Sequence, residues 1–158
     1  MSSITAWRIV KAKRRDDAFS GEGARLAGGR WNLPGTSVVY AAGSLALAAL
    51  EVLVQLEAPQ LMPSYVQIPV EFDSSACRRL DLDALPADWA ESPVPESTRL
   101  IGPDWVRSQA SVVLAVPSAL VPDELVYLIN PNHPDFASLR VGQATSFRFD
   151  PRLVRQIP

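Results

Sequence analysis

A single carboxylate, Glu51, stands inside the apolar stretch from Ser44 to Leu56, downstream of Gly29-Arg30-Trp31-Asn32 and Val38-Val39-Tyr40. Burying an acid among alanines, leucines and valines is costly unless a partner or a chemical task keeps it there. At helical spacing Glu51 shares a face with Leu47, Ala48, Val54 and Gln55, so a cleft closed by that face would receive the carboxylate. Three further residues can serve the same cleft. Arg30 follows two glycines that let the backbone come close to a ligand, and its planar fork suits phosphate or carboxylate groups. Tyr40 ends a strand-like run and can stack on an aromatic ring, and Ser118 follows Pro117 at the end of another. Each also has a plain structural reading: a buried ion pair between Arg30 and Glu51, a core tyrosine with its hydroxyl satisfied, a turn-forming serine. Trp31 either packs over a flat base or fills the core.

Much other chemistry falls away. One histidine and one cysteine cannot build a Cys/His zinc site, and a Ser-His-Asp triad would depend entirely on His133. His133 lies in the turn-forming string Asn130-Pro131-Asn132-His133-Pro134-Asp135, which favours a structural or capping role. Gly21-Glu22-Gly23 lacks the preceding strand, the following helix and the third glycine of a dinucleotide fingerprint, and no P-loop is present. Cys77 cannot form an internal disulfide, which fits a reducing cytosol, and reads as a small semi-buried residue.

The elements that must position these residues follow from period and punctuation. Thr5 to Val10 alternates as a first strand, and Lys11 to Gly28 reads as a polar loop. Arg30 to Asn32 and Thr36 to Ala42 read as a short and a longer strand around the turn Leu33-Pro34-Gly35. Ser44 sits where a helix N-cap belongs, and Leu45 to Glu57 is rich in alanine and leucine until Ala58-Pro59 ends it. Apolar nearly all round, this helix is expected to be central. Ser64 to Phe72 alternates around a Pro69 that disfavours a central-strand interior, and Arg78 to Leu82 is a further short strand. Thr98 to Gln109 forms a second helix interrupted near Gly102-Pro103. Ser111 to Val116, Leu125 to Ile129 and Ser146 to Phe149 supply the last strands. The expected core includes Val38, Val39, Leu47, Leu50, Val54, Val113, Leu114, Val126 and Leu128.

These elements give an α+β fold of mixed and antiparallel sheets with a few helices, and 158 residues fit a single domain over 1–158. Hydrophobic content of 47% and 14 prolines point to a soluble globular chain with many turns. No segment reads as a signal peptide or a bilayer span, so a cytoplasmic protein without a membrane partner is expected. Residues 1 to 30 carry seven basic side chains against three acids, a local net of +4 that leaves −6 for the remainder. Direct nucleic acid binding is disfavoured, because the whole chain is acidic and lacks a long basic face. The basic N-terminal segment raises an RNA-cleaving activity as a further reading, but proton transfer near neutral pH would rest on one turn-bound histidine, which makes it poor.

Taken in order, Trp7-Arg8-Ile9, Gly29-Arg30-Trp31-Asn32, Val39-Tyr40-Ala41, Ala49-Leu50-Glu51, Pro117-Ser118 and Asn130-Pro131-Asn132-His133-Pro134-Asp135-Phe136 resemble the RES-domain toxins of bacterial RES/Xre-type toxin–antitoxin pairs. That family is named for an arginine, a glutamate and a serine, which here match Arg30, Glu51 and Ser118. The resemblance implies a fold similar to the ADP-ribosyltransferase toxins and an attack on NAD. The nicotinamide–ribose bond would be cut and ADP-ribose passed to phosphate or water; protein ADP-ribosylation and a non-enzymatic module binding a nucleotide or partner are the alternatives. It implies NAD as substrate and phosphate as co-substrate, with no resident cofactor or metal. It assigns Tyr40 to the nicotinamide, Arg8 and Trp31 to substrate binding, and a helix-turn-helix antitoxin of Xre type as partner, with a homodimer inside the complex left open. The substrate-loop residues between Lys11 and Gly28 find no match. Nicotinamide leaves NAD as a neutral molecule from a cationic state, so its departure requires no general acid, unlike an ordinary glycoside. On this reading Glu51 accepts a ribose hydroxyl and stabilises an oxocarbenium-like transition state, Arg30 holds pyrophosphate or phosphate, and Ser118 orients Glu51 or a substrate oxygen.

Overall fold

Alternation of inward and outward side chains builds the longest strands. The computed structural model describes residues 2–56 and 64–154. β1 (Ser3–Lys11) pairs along its whole length with β3 (Tyr65–Asp73), antiparallel, from Ser3 opposite Asp73 to Lys11 opposite Tyr65. Pro69 lies inside β3 after all. A strand residue's N and O face the same neighbour, and the Pro69 oxygen accepts from Gly142 N at 2.7 Å, on the side where β7 (Arg140–Val141) and β8 (Thr145–Phe147) leave a gap. The missing N–H therefore breaks no ladder bond to β1.

The remaining strands are β2 (Val39–Ala42), β4 (Cys77–Arg79), β5 (Val113–Pro117) and β6 (Leu125–Ile129). All eight form one sheet in the order β4-β5-β6-β2-β1-β3-β7, with β8 also on β3. Only the β4–β5 pair is parallel among the described strands. β5 and β6 are almost wholly buried on both faces, which explains their unbroken hydrophobic runs. One face packs Ile9, Ala42, Leu114, Val116, Val126 and Leu128 against Leu47, Trp31 and Trp105. The other gathers Ala6, Val39, Ala41, Val70, Phe72 and Ile129. Between β1 and β2 the register is a single pair, Trp7 opposite Ala42, so the sheet carries a seam there.

Four helices are described: α1 (Glu22–Ala27), α2 (Leu45–Leu53), α3 (Glu96–Arg99) and α4 (Ile101–Ser108). Ser44 caps α2, its Oγ accepting from Leu47 N at 3.1 Å. The helix is shorter and less central than its composition implied. It ends at Leu53, Glu57 to Pro59 lie outside the described residues, and only Leu47 and Ala48 are buried. It rests on β1 and β2 by one face, leaving Leu50 43% and Val54 60% exposed, so these two do not belong to the core. The other expected core residues are buried.

The stretch expected to be a polar loop holds α1 and a 3-10 turn, Ala12–Asp17. Glycines mark the ends of α1, with Gly21 and Gly28 both at φ +75°, and punctuation of that kind hid the helix. Arg30 to Asn32 form a turn, not a strand, closed by Gly29 N donating to Asn32 O at 2.9 Å. The expected break near Gly102-Pro103 falls at Leu100 instead. Both residues lie in the first turn of α4, where the N–H that proline lacks has no intrahelical acceptor.

Candidate functional site

Glu51 and Ser118 come together. Ser118 sits just past β5, 1% exposed, and its hydroxyl donates to Glu51 Oε1 at 2.7 Å. Ser118 Oγ in turn accepts from Leu120 N at 3.1 Å and Val121 N at 3.2 Å. One O–H and both acceptor positions are thus committed, which fixes the hydroxyl's direction. Ser118 can orient Glu51; a role as nucleophile would require breaking this set. Glu51 is half-buried, and its Oε2 has no protein donor among the described residues. The carboxylate is aimed through one oxygen and leaves the other to accept from a ligand.

A second cluster is built on the Gly28–Asn32 turn. Asn32, wholly buried, donates from Nδ2 to the carbonyls of Ala24 (2.9 Å), Leu33 (3.1 Å) and Thr36 (3.3 Å). Its Oδ1 accepts from the Tyr40 hydroxyl at 2.6 Å, and that hydroxyl accepts from Trp31 N at 3.0 Å. Tyr40, on β2, thereby holds the turn that carries Arg30. A side chain on Gly29 would collide with the Tyr40 ring, so the turn must be bare at that point. Burial pushes the Tyr40 hydroxyl well above its ordinary range, opposed by the Trp31 N–H and by the charges of Arg99 and Arg30.

Arg30 does not pair with Glu51. Its Nη1 donates to the Trp89 carbonyl at 3.0 Å and the Glu91 carbonyl at 2.9 Å, while Glu51 is held by Ser118. In place of the buried ion pair stands an arginine anchored on carbonyls and paired with no carboxylate among the described residues. Trp31 is a core residue, 2% exposed and stacked on Trp89 with ring centroids 5.8 Å apart, so its ring offers no face to a substrate. A largely apolar cleft of about 330 Å³, lined by Leu82, Leu85, Pro86, Trp89, Pro117 and Pro122, lies next to the site, and none of the candidate site residues lines it. Arg8 donates from Nε to Ala18 O at 2.6 Å and from Nη1 to Tyr40 O at 2.9 Å, bridging the seam between β1 and β2. Burial lowers its guanidinium to about 10, with Asp17 opposing, which leaves it charged at neutral pH.

Residues 5–150 match the family model described as the RES domain. The chain belongs to the RES domain family. It is 38% identical over 148 residues to a protein of Yersinia enterocolitica called Toxin Res, covering 93% of this chain and 97% of that one. It is 36% identical over 155 residues to the Prs ADP-ribosylating toxin of a Sphingobium species, covering 95% and 96% respectively. Its fold matches a chain in the crystal structure of the M. tuberculosis MbcT–MbcA toxin–antitoxin complex with a TM-score of 0.78. That match covers 97% of this chain and 87% of the other at 23% identity, and so speaks to the fold.

Within this RES domain the sequence-assigned residues separate into two groups. Glu51 and Ser118 form one cluster, Tyr40 and the turn that carries Arg30 form a second, and Arg8 reaches the second through a backbone carbonyl. Two contributors were not singled out from the sequence. Asn32 follows Arg30 directly, and a buried asparagine behind two glycines is the signal that could have marked it. Arg99, at the end of α3, donates from Nε to Gly29 O at 3.3 Å and gives no local signal. His133 is structural: its Nδ1 accepts from Asp135 N at 3.0 Å, and its Nε2 lies 3.0 Å from Gln109 O. Cys77 is half-buried, its thiol pushed up to about 11 by burial. Among the described residues no helix is long and apolar enough to cross a membrane.

Proposed function

We propose that this RES domain is a toxin that degrades NAD, cutting the nicotinamide–ribose bond and passing ADP-ribose to phosphate or water. The observation that carries the reading is the 2.7 Å bond from Ser118 to Glu51, which aims a half-buried carboxylate while leaving Oε2 open. A carboxylate held this way can accept a ribose hydroxyl and stabilise the positive charge that develops on the sugar as nicotinamide departs. No general acid is required, and none stands beside Glu51 in hydrogen-bond reach among the described residues. Tyr40 and the arginine-bearing turn supply an aromatic face and cationic donors for the rest of the dinucleotide. NAD acts as substrate, with no resident cofactor. An antitoxin is the proposed partner, since a structure of similar fold is a toxin–antitoxin complex; we propose further that it is a helix-turn-helix protein of Xre type, and that the site of action is the cytoplasm.

Nicotinamide release from NAD, followed with and without phosphate, tests this. Glu51→Gln retains an acceptor for the Ser118 hydroxyl but lacks the negative charge, and is the matched control. Release no greater than from Glu51→Gln, in protein freed of bound partner, would sink the reading. Protein ADP-ribosylation is favoured by one observation, the name of the Sphingobium relative. It requires labelled ADP-ribose to appear on a macromolecule instead of in a small product.

A further inference from the structure

We propose that Arg99 is the second guanidinium of an oxyanion cradle, acting with Arg30 across the Gly28-Gly29 backbone to bind a phosphate group. This rests on the NAD reading only for the identity of the phosphate.

Five ion pairs involving arginine are found among the described residues, at Arg14, Arg25, Arg107, Arg140 and Arg152, all on the surface. Neither Arg30 nor Arg99 takes part in one. Arg30 donates from Nη1 alone, to two backbone carbonyls, and Arg99 from Nε alone, to Gly29 O. A guanidinium carries five N–H donors, so most of the hydrogen-bonding capacity of both side chains is unused. The two belong to one locality. Arg30 directly follows Gly29, whose carbonyl Arg99 engages, and a side chain on Gly28 would collide with Arg99 Nη2. Both charges act on the same Tyr40 hydroxyl. Two half-buried guanidiniums beside the same glycine pair, neither paired with a carboxylate among the described residues, attract an anion. Planar forks with free donors suit phosphate oxygens above other small anions.

The group bound is either the diphosphate of the dinucleotide or a separate inorganic phosphate, and two titrations tell them apart. Purified full-length chain is titrated calorimetrically with inorganic phosphate and, separately, with inorganic pyrophosphate. Arg99→Gln keeps a donor for Gly29 O and removes the charge; Arg99→Lys keeps the charge. Losing one charge-assisted contact should weaken the bound anion about 10- to 100-fold in Arg99→Gln, with part of the loss restored in Arg99→Lys. Thermal midpoints of the two variants should agree. Binding of either anion with this pattern supports the cradle, phosphate marking an acceptor position and pyrophosphate a dinucleotide one. The proposal is overturned if the wild type binds neither anion, if Arg99→Gln binds as wild type, or if Arg99→Lys loses as much as Arg99→Gln. Nicotinamide release is read separately: an Arg99-dependent anion site in a chain that leaves NAD intact keeps the cradle and removes the NAD reading.

Discussion

Replacing Ser118 by alanine tests whether the serine aims the Glu51 carboxylate proposed to act on the substrate. The change removes the hydroxyl that donates to Glu51 Oε1 at 2.7 Å and the acceptor used by Leu120 N and Val121 N. A hydrogen bond to a charged group contributes about 1.5–3 kcal/mol, and the half-exposure of Glu51 places this one near the low end. Leu120 is exposed, so water can serve its amide; Val121 is half-buried, and its stranded N–H costs about 1 kcal/mol. The total is about 2–3 kcal/mol, or a fall of about 5–10 °C in the melting temperature of a chain this size. If the proposed function holds and the bond also keeps the carboxylate in its productive direction, turnover of NAD should fall by about 10-fold at saturating substrate. Differential scanning calorimetry and nicotinamide release measure the two effects independently. A variant that melts low yet turns over at the wild-type rate would refute the positioning role, and one unchanged in both would refute the bond itself.

Two further outcomes follow from the turn. Tyr40→Phe keeps the ring but strands Trp31 N and Asn32 Oδ1, so the melting temperature should drop by an amount equivalent to about 1–3 kcal/mol, checked by thermal denaturation; an unchanged midpoint contradicts the lock. Gly102→Ala places a methyl into the Trp31 carbonyl, an atom that cannot step aside because Gly102 N binds it at 2.8 Å. Overpacking against backbone should cost about 3 kcal/mol, and full stability of this variant in urea would contradict the described docking of α4 on the turn.

What could be read from the residues was what local chemistry decides. The Ser44 cap, the apolar runs of β5 and β6 and the turn role of His133 depend on neighbours a few positions away, and each is found in place. The anomaly of Glu51 was legible because an acid in an apolar helix demands an explanation, and Ser118 supplies part of it. Between the two uses offered for Arg30, an ion pair with Glu51 or a ligand contact, the sequence had no means to choose. The acceptors of Arg30 are the carbonyls of Trp89 and Glu91, 59 and 61 positions away, and carbonyls carry no sequence signature. Helix α2 was misplaced because composition shows how apolar a helix is, not how much sheet lies beneath it. Trp31 likewise offered two uses, and only the stacking on Trp89 selects the core.

The single Trp7–Ala42 pair makes the sheet two leaves joined by a narrow isthmus. β3, β7, β8 and β1 form one leaf and β2, β6, β5 and β4 the other, each with a continuous ladder of its own. Parting them at the isthmus sacrifices one residue pair and the Arg8 bond to the Tyr40 carbonyl, and leaves every other ladder whole. The join between the leaves, the shortest ladder in the described sheet, therefore runs beside the site, where the packing of α2 on both β1 and β2 holds the leaves together more than backbone bonding does.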